Sequence, residues 1–303
     1  MSAIISAIIV NYNAGRLLRS CVDSLLNCPL EMQIIVVDNA STDDSLDTLL
    51  GLPRMQIIKN STNVGFATAS NCGARVASAQ VMLFLNPDCS FESGVLVRLL
   101  RSLRVNEHVG MVGGFLANLD GTEQAGGRRA IPTPWRSFVR VFGLSCLASR
   151  WPKLFSDFYL HRQPLPDGPI EVEAISGACM MVSREAIEDV GLWDEGYFLH
   201  CEDLDWCMRF RQKGWKILFV PHARISHALG ECSRNRRVFV EWHKHKGMIR
   251  FYLKFFRRQY PGVLVGLIMV GVWLRFGLIA TCLTAKGIGR SLGFWLDDVD
   301  RSK

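Results

Sequence analysis

The chain has 303 residues, 49% of them apolar and 21% charged, which is ample for a buried core and excludes a low-complexity protein. A formal net charge of +7 suits anionic partners, whether nucleic acid, a lipid surface or a phosphorylated substrate, and a mean hydropathy of +0.15 raises the question of membrane contact. Ten cysteines without a CxxC pair exclude a disulfide frame and fit reduced thiols in a cytosolic protein.

Ile4 to Val10 is apolar but for Ser6, the pattern of a strand buried on both faces. The opening MSAIISAIIV lacks a basic leader, so it reads as that strand and not as a signal peptide. Helical spacing follows over residues 14–27, through Leu17, Leu18, Cys21, Val22 and Leu25. Gln33 to Val37 is a second strand ending at Asp38. Ser41 or Thr42 then caps a helix with Asp43 and Asp44 in its first turn. Met55 to Ile58 is a third strand, residues 64–78 a helix, and Val81 to Leu85 a fourth strand. This order predicts an α/β fold with a Rossmann-like, mostly parallel sheet flanked by helices.

Residues 118–170 hold Gly126-Gly127 and prolines from 132 to 169, and read as a long, partly mobile excursion. Order returns at 172–182, with a helix over 202–213 and a strand over 216–220. From Arg234 to Arg258 the chain is basic and aromatic, with Glu241 its one acid. Residues 262–284 are largely apolar, with Arg275 the only charge. As a helix they would reach about 30 Å or more. The chain thus divides into an α/β domain, 1–230, and a basic and apolar helical tail, 231–303.

Polar side chains sit where the strands end: Asn11-Tyr12-Asn13, Asp38-Asn39, Asn60 to Asn63, and Asn86-Pro87-Asp88. Ligands of such sheets gather beyond the carboxyl ends of the strands, so these four ends point to one crevice. In IIVVDNASTDDS (34–45), Asp38 can accept hydrogen bonds from a base or ribose, or can cap a helix. In NVGFATASNCG (63–73), Gly65 permits close backbone approach and Asn63 and Asn71 offer amides. The bland alternative is an ordinary helix entry. No GxGxxG or GxxxxGK[ST] occurs, against dinucleotide and P-loop sites. MLFLNPDCS (82–90) carries Asp88 into the crevice, where its oxygens suit Mg²⁺ or Mn²⁺, although Asn-Pro-Asp is also turn chemistry. YFLHCEDLDWCMRFRQKGW (197–215) gathers Glu202, Asp203 and Asp205 at a helix start. The helix dipole alone favours acids there, and apolar surroundings can also raise a carboxyl pKa for base work. His227 in RISHALGEC is a structural histidine or, with Asp88, a metal ligand.

Taken in order, these segments resemble the inverting glycosyltransferases of family two, of GT-A fold, and among them bacterial rhamnosyltransferases. The matching runs are IIVNYN, VVDNASTDDS, NVGFATASNCG, LFLNPD, ISGACMMVSREAIEDVGLWDEGYFLHCEDLDWCMRFRQKGW and the later His227, over roughly residues 4–230. The resemblance implies a nucleotide-diphosphate sugar donor, dTDP-rhamnose first, with UDP- or GDP-sugars as alternatives. It implies a glycan or polyprenyl-diphosphate-linked acceptor, in bacterial cell-surface polysaccharide synthesis.

On that resemblance, Asn11, Tyr12, Asp38, Asn63, Asn71, Asn86 and Asp88 line the nucleotide-sugar pocket, with Tyr12 flanking the base and Asp38 bonding it. Gly177, Ala178 and Trp193 form the acceptor and sugar pocket. Asp203 is the general base and Glu202 its rival. Asp88 and His227 hold Mg²⁺ or Mn²⁺. Asn86-Pro87-Asp88 stands where the family carries DxD, which puts the strictness of metal dependence in question. Without a QxxRW motif or several spans, a non-processive enzyme is expected. The tail implies a membrane surface as partner, by peripheral attachment, and a place in the cytoplasm at the inner face of the cell membrane. Two rival functions are a nucleotide-sugar-binding or regulatory protein without catalysis, and nucleic-acid binding by the tail. The intact acids argue against the first. The aromatic spacing argues against the second, so no nucleic-acid partner is expected.

Overall fold

The computed structural model describes residues 4–52, 55–228 and 236–301. Met1 to Ala3, Arg234 and the expected boundary at 230/231 lie outside them. The chain separates into two compact units, Met1–Cys232 and Ser233–Lys303.

In the first unit every residue of β1 (Ile5–Asn11) is buried, as its unbroken apolar run requires. Helix α1 (Arg16–Leu26) turns Leu18, Cys21, Val22 and Leu25 into the core. Strands β2 (Met32–Asp38) and β3 (Met55–Lys59), helix α2 (Phe66–Val76) and strand β4 (Val81–Leu85) follow. Next come β5 (Cys89–Phe91), α3 (Val95–Leu103) and β6 (Val109–Ala117). The excursion holds β7 (Arg128–Arg129), α4 (Pro134–Val141), α5 (Pro152–Phe155) and β8 (Ile170–Glu171). The unit ends with β9 (Ala174–Ile175), β10 (Cys179–Ser183), α6 (Arg184–Val190), α7 (Glu202–Gln212) and β11 (Lys216–His227).

The main sheet runs β3-β2-β1-β4-β10-β6-β11-β5, with β8 also pairing β11. β3, β2, β1 and β4 are mutually parallel, as are β6 and β11. β10 lies antiparallel between β4 and β6. The result is the expected mostly parallel sheet flanked by helices. The reversal of β10 sets Cys179 opposite Leu85, the last residue of β4. The loop before β10, with Gly177 and Ala178, therefore meets the carboxyl end of β4.

Three expectations need correction. No α-helix starts at Ser41 or Thr42, and only a 3-10 turn forms at Asp47–Leu49. Asp43 instead accepts from Gly15 N (2.8 Å) and Ser45 Oγ (2.6 Å), and Asn13 Oδ1 accepts from Thr42 N (2.7 Å). Such side chains take the partners a helix would need. The strand expected at 216–220 runs on to His227, with a register shift between Val220 and Arg224, around Pro221, which has no N–H to give. The 118–170 excursion is pinned, not loose. Arg128 holds Glu123 through two bonds (2.7 and 3.0 Å), and Arg136 holds Glu173 through two more (2.7 and 3.1 Å).

The second unit pairs α8 (Arg237–Phe255) with α9 (Gly262–Arg301), and Trp242 packs on Trp273 (4.8 Å) and Phe276 (5.5 Å). Among the described residues, Gly262–Ala285 is the one segment long and apolar enough to cross a membrane. Arg275 lies within it, its Nη1 3.5 Å from Nε2 of His245. Burial lowers the His245 pKa. The neutral ring gives its Nδ1 proton to the Glu241 carbonyl (2.7 Å), which leaves Nε2 as an acceptor for the guanidinium.

Candidate active site

The strand ends form the donor side of the crevice. Asn11 closes β1 and is fully buried. Its Nδ2 lies 2.8 Å from Asp38 Oδ1, 3.0 Å from Ser41 Oγ and 2.8 Å from Ser45 Oγ. It therefore fastens Asp38 and the 41–45 loop through Nδ2, while its buried Oδ1 has no hydrogen-bond partner among the described residues. Asp38 ends β2 and also accepts from Ser41 N (3.3 Å), with acceptor capacity to spare for a ligand. Asn63 turns its Oδ1 to Asn39 Nδ2 (2.9 Å) and Gly65 N (3.0 Å). Asn39, which sequence reasoning left without a role, also accepts from Asn60 and Val64 and so ties β2 to the 60–65 loop. Gly65 has φ +87°, and a Cβ there would lie 2.6 Å from the Phe198 carbonyl. The close approach expected of this glycine is thus to the chain leading into α7.

Asn71 and Trp193 are reassigned. The buried Asn71 amide bonds the Trp193 backbone in both directions (3.0 and 3.1 Å) and Glu195 (2.8 Å). Trp193 is 3% exposed and packs on Phe66, Phe84 and Trp206. The Asn71 amide is saturated within the fold, and the Trp193 ring is packed in the core with its Nε1 unpartnered among the described residues. Trp193→Ala is expected to cost about 3–5 kcal/mol of stability by opening a core cavity, read as a lower denaturant midpoint. A pocket role would raise KM and leave stability intact.

At the end of β4, Asn86 N donates to the Ala178 carbonyl (2.9 Å). Asp88 Oδ1 stands 3.2 Å from His227 Nε2, and Asn86 Nδ2 is 3.4 Å from the same nitrogen. Gln124, a residue with no motif around it, takes the other ring nitrogen: His227 Nδ1 lies 2.6 Å from its Oε1. Gln124 Nε2 donates to Asn118 Oδ1 (3.2 Å), which fixes the amide orientation and hence the histidine tautomer. The Nε2 lone pair and an Asp88 oxygen then face each other at a separation that two cis ligands of a small divalent ion would have, each bond being about 2.0–2.2 Å. Cys89 Sγ completes the cluster. Burial, with the charge of Asp88 second, pushes its thiol well up, and Sγ leans on the Ala178 carbonyl (3.4 Å). The oxygen of Asp88 and the nitrogen of His227 fit Mg²⁺ or Mn²⁺, which take hard donors in preference to a thiol. Gln124→Leu is expected to weaken Mn²⁺ binding about 10–100-fold, by freeing the ring, as read by calorimetry.

The acids open α7. His200 and Cys201 both hold left-handed backbone (φ 67° and 70°) immediately before Glu202. Side chains rarely adopt that region, and strain of this kind collects where geometry matters. Asp203 forms an ion pair with Arg129 of β7, and accepts from Gly177 N (3.2 Å) and Leu204 N (2.8 Å). A Cβ on Gly177 would lie 3.3 Å from Asp203 Cβ, a tight contact that would press on the acid. Asp205 is fully buried between Tyr197 Oη (3.1 Å) and Arg209 Nε (2.7 Å) and belongs to the framework. Asp203, Gly177, Ala178 and Asn86 form one bonded chain, which brings the acid and the Asp88–His227 pair to the same end of the sheet.

Glu202 is 6% exposed and its Oε2 has no hydrogen-bond partner. Burial, with the Asp203 charge second, pushes its pKa from near 4.5 up to about 8. The folded state thus holds this proton more tightly than the unfolded chain does. Stability contributed by the protonated form is full below about pH 4.5 and falls as pH rises towards about 8. Glu202→Gln is expected to flatten that decline in unfolding free energy measured across the window. A decline of the same slope in the variant would assign it to another group.

The family model for glycosyl transferase family 2 matches residues 6–191, and that for glycosyl transferase family group 2 matches residues 159–284. The chain is 26% identical over 240 residues to an N-acetylglucosaminyl-diphospho-decaprenol L-rhamnosyltransferase of Mycobacterium tuberculosis, covering 75% of this chain and 76% of the relative. It is 25% identical over 252 residues to the dTDP-rhamnosyl transferase RfbF of Shigella flexneri, covering 77% and 72%. Among solved structures, the mannosyltransferase PcManGT from Pyrobaculum calidifontis with GDP-Man and Mn²⁺ superposes with TM-score 0.57 at 14% identity, over 96% of this chain and 81% of that one. GalNAc-T7 with UDP, GalNAc and Mn²⁺ gives 0.56 at 19%, over 75% and 44%. These two likenesses show a shared fold. The family match alone spans more than half the sequence and takes in β1, β2 and β4, so this chain belongs to glycosyl transferase family 2.

Proposed function

We propose that the protein transfers a sugar, rhamnose from a dTDP donor in the first instance, to a lipid-diphosphate-linked glycan acceptor with inversion of configuration. The observation that carries this reading is the bonded chain from Asp203 through Gly177 and Ala178 to Asn86, two residues from Asp88. It sets the Asp203 carboxylate and the Asp88–His227 pair at the same end of the sheet, as a proton acceptor facing a metal-bound diphosphate would require. The printed activities of the mycobacterial and Shigella relatives support the sugar and the lipid-linked acceptor.

The acceptor hydroxyl is a poor nucleophile near neutral pH. Asp203 takes its proton as the oxygen attacks the anomeric carbon from the face opposite the departing diphosphate, which inverts that centre. Arg129, Gly177 N–H and Leu204 N–H fix the position of the carboxylate. Glu202, protonated near neutral pH by its burial, has no charge with which to compete for that proton. Tyr12 and Asp38 receive the base and ribose. A divalent ion held by Asp88 and His227 would supply charge neutralisation to the diphosphate. Residues 1–230 hold this chemistry. The helical tail attaches the enzyme to the cytoplasmic face of the membrane, peripherally if a carbonate wash releases it.

The test is a panel of dTDP-, UDP- and GDP-sugars with Mn²⁺ or Mg²⁺, scored by thermal stabilisation. A donor at 100 times its Kd contributes about 2.7 kcal/mol. The selected donor is then mixed with an N-acetylglucosaminyl-diphospho-polyprenol, and nucleoside diphosphate release is measured. Stabilisation without acceptor-dependent release would leave a binding protein and overturn the transferase reading.

A further inference from the structure

The lobe between β7 and β8 has a surface that the reaction does not use. Pro134 to Phe155 carries Arg136, Arg140, Arg150 and Lys153 and no acid. Its large apolar side chains face outward: Phe142 is 64% exposed and Trp151 48%, and Trp135, Phe138, Val141 and Leu154 are exposed beside them. They form an ordered cluster. Trp135 stacks on Phe138 at 5.5 Å, Phe138 meets Phe142 at 4.5 Å, and Trp135 Nε1 donates to the Leu154 carbonyl (2.7 Å). The base of the lobe is clamped to the unit. Ala130 N donates to the Phe158 carbonyl (2.8 Å), the Thr133 side chain caps α4, and Arg136 and Arg140 are taken by Glu173 and Asp157. Arg150 and Lys153, on either side of Trp151, have no acidic partner among the described residues. Folding leaves this face uncovered, and a patch of this kind marks a docking surface.

We propose that this lobe docks the catalytic unit on an anionic bilayer, with its aromatic cluster in the headgroup region and Arg150 and Lys153 on lipid phosphates. Composition favours a bilayer over the alternatives. Trp, Phe and Leu interleaved with Arg and Lys is the make-up of an element lying in a membrane interface. The same positive charge, with no acid in the run, opposes a second copy of the chain seated face to face. The lobe springs from β7, whose Arg129 holds Asp203. On the lipid-linked reading above, an acceptor rising from the membrane would reach the base beside the point of contact. Docking itself does not depend on that reading.

The test uses the full chain and vesicles of phosphatidylcholine, alone or mixed with phosphatidylglycerol, with hydrogen–deuterium exchange followed over 134–155. Exchange there is expected to slow with the mixed vesicles and not with phosphatidylcholine alone. Arg150→Gln and Lys153→Gln should each lower the affinity of this contact about fivefold, the share of one basic residue near an anionic surface. Phe142→Ser with Trp151→Ser should abolish the slowing even if the tail keeps the chain on the vesicles. Both side chains are exposed, so the thermal midpoint should stay put. Vesicle binding with unchanged exchange over 134–155 overturns the proposal. So does slowing that appears without vesicles as protein concentration rises, together with a dimer in sedimentation, which would make a second copy the occupant. Transfer to a soluble acceptor reports on the catalytic reading alone and should not change in these variants.

Discussion

Asp203→Asn is expected to lower kcat by roughly 10²–10⁴-fold while leaving donor affinity unchanged. The amide has nearly the shape of the carboxylate but cannot accept the acceptor's proton. It also leaves the Arg129 guanidinium without its counter-ion in a mostly buried corner, with the Ile175 carbonyl (3.2 Å) and the neutral amide oxygen as acceptors. That second effect costs stability, because a charge stripped of its mate is worse than no pair at all. Adding Arg129→Met should restore the thermal midpoint and leave turnover low, which separates chemistry from folding. Glu202→Gln provides the contrast and should retain most of the turnover. If Glu202→Gln silences the enzyme and Asp203→Asn does not, the base is Glu202.

Asp88→Ala is expected to lower the rate by about a thousandfold or more and to abolish its response to added Mn²⁺. A charge-neutralising ion at a departing diphosphate is worth several kcal/mol, and each 1.36 kcal/mol is tenfold in rate. The substitution removes the oxygen facing His227 Nε2 and leaves the ring on Gln124. The local backbone is held independently, by Asn86 N to the Ala178 carbonyl and Ala228 N to the Asp88 carbonyl (3.1 Å), so the corner should keep its shape. Rates titrated with Mn²⁺, beside direct Mn²⁺ binding, form the check. A variant that still responds to the metal would place the ion elsewhere.

The part of the fold before residue 86 was legible because its strands are short apolar runs ending in polar residues. Asp38 and Asp88 stood out as carboxylates at such ends. β6 was harder to see, since Gly113-Gly114 interrupts its apolar run. Within the site, spacing could not show which amides face a ligand and which face the protein. Asn71 looks like a pocket residue in its motif, yet its amide is consumed by the Trp193 backbone and Glu195, and Asn11 gives its Nδ2 to Asp38 while its Oδ1 stays without a partner among the described residues. Arg129 and Gln124 were invisible for a different reason. Each acts on a partner far along the chain, 74 residues away for Asp203 and 103 for His227, and no local pattern encodes that meeting.

The bond from Asn86 N to the Ala178 carbonyl joins the two walls of the crevice through main-chain atoms only. No exchange of one side chain for another deletes it, short of a proline at 86. The spacing between the Gly177–Ala178 loop and the end of β4 is therefore insulated from most mutations. The surrounding side chains can drift towards new donors or acceptors while that spacing stays constant.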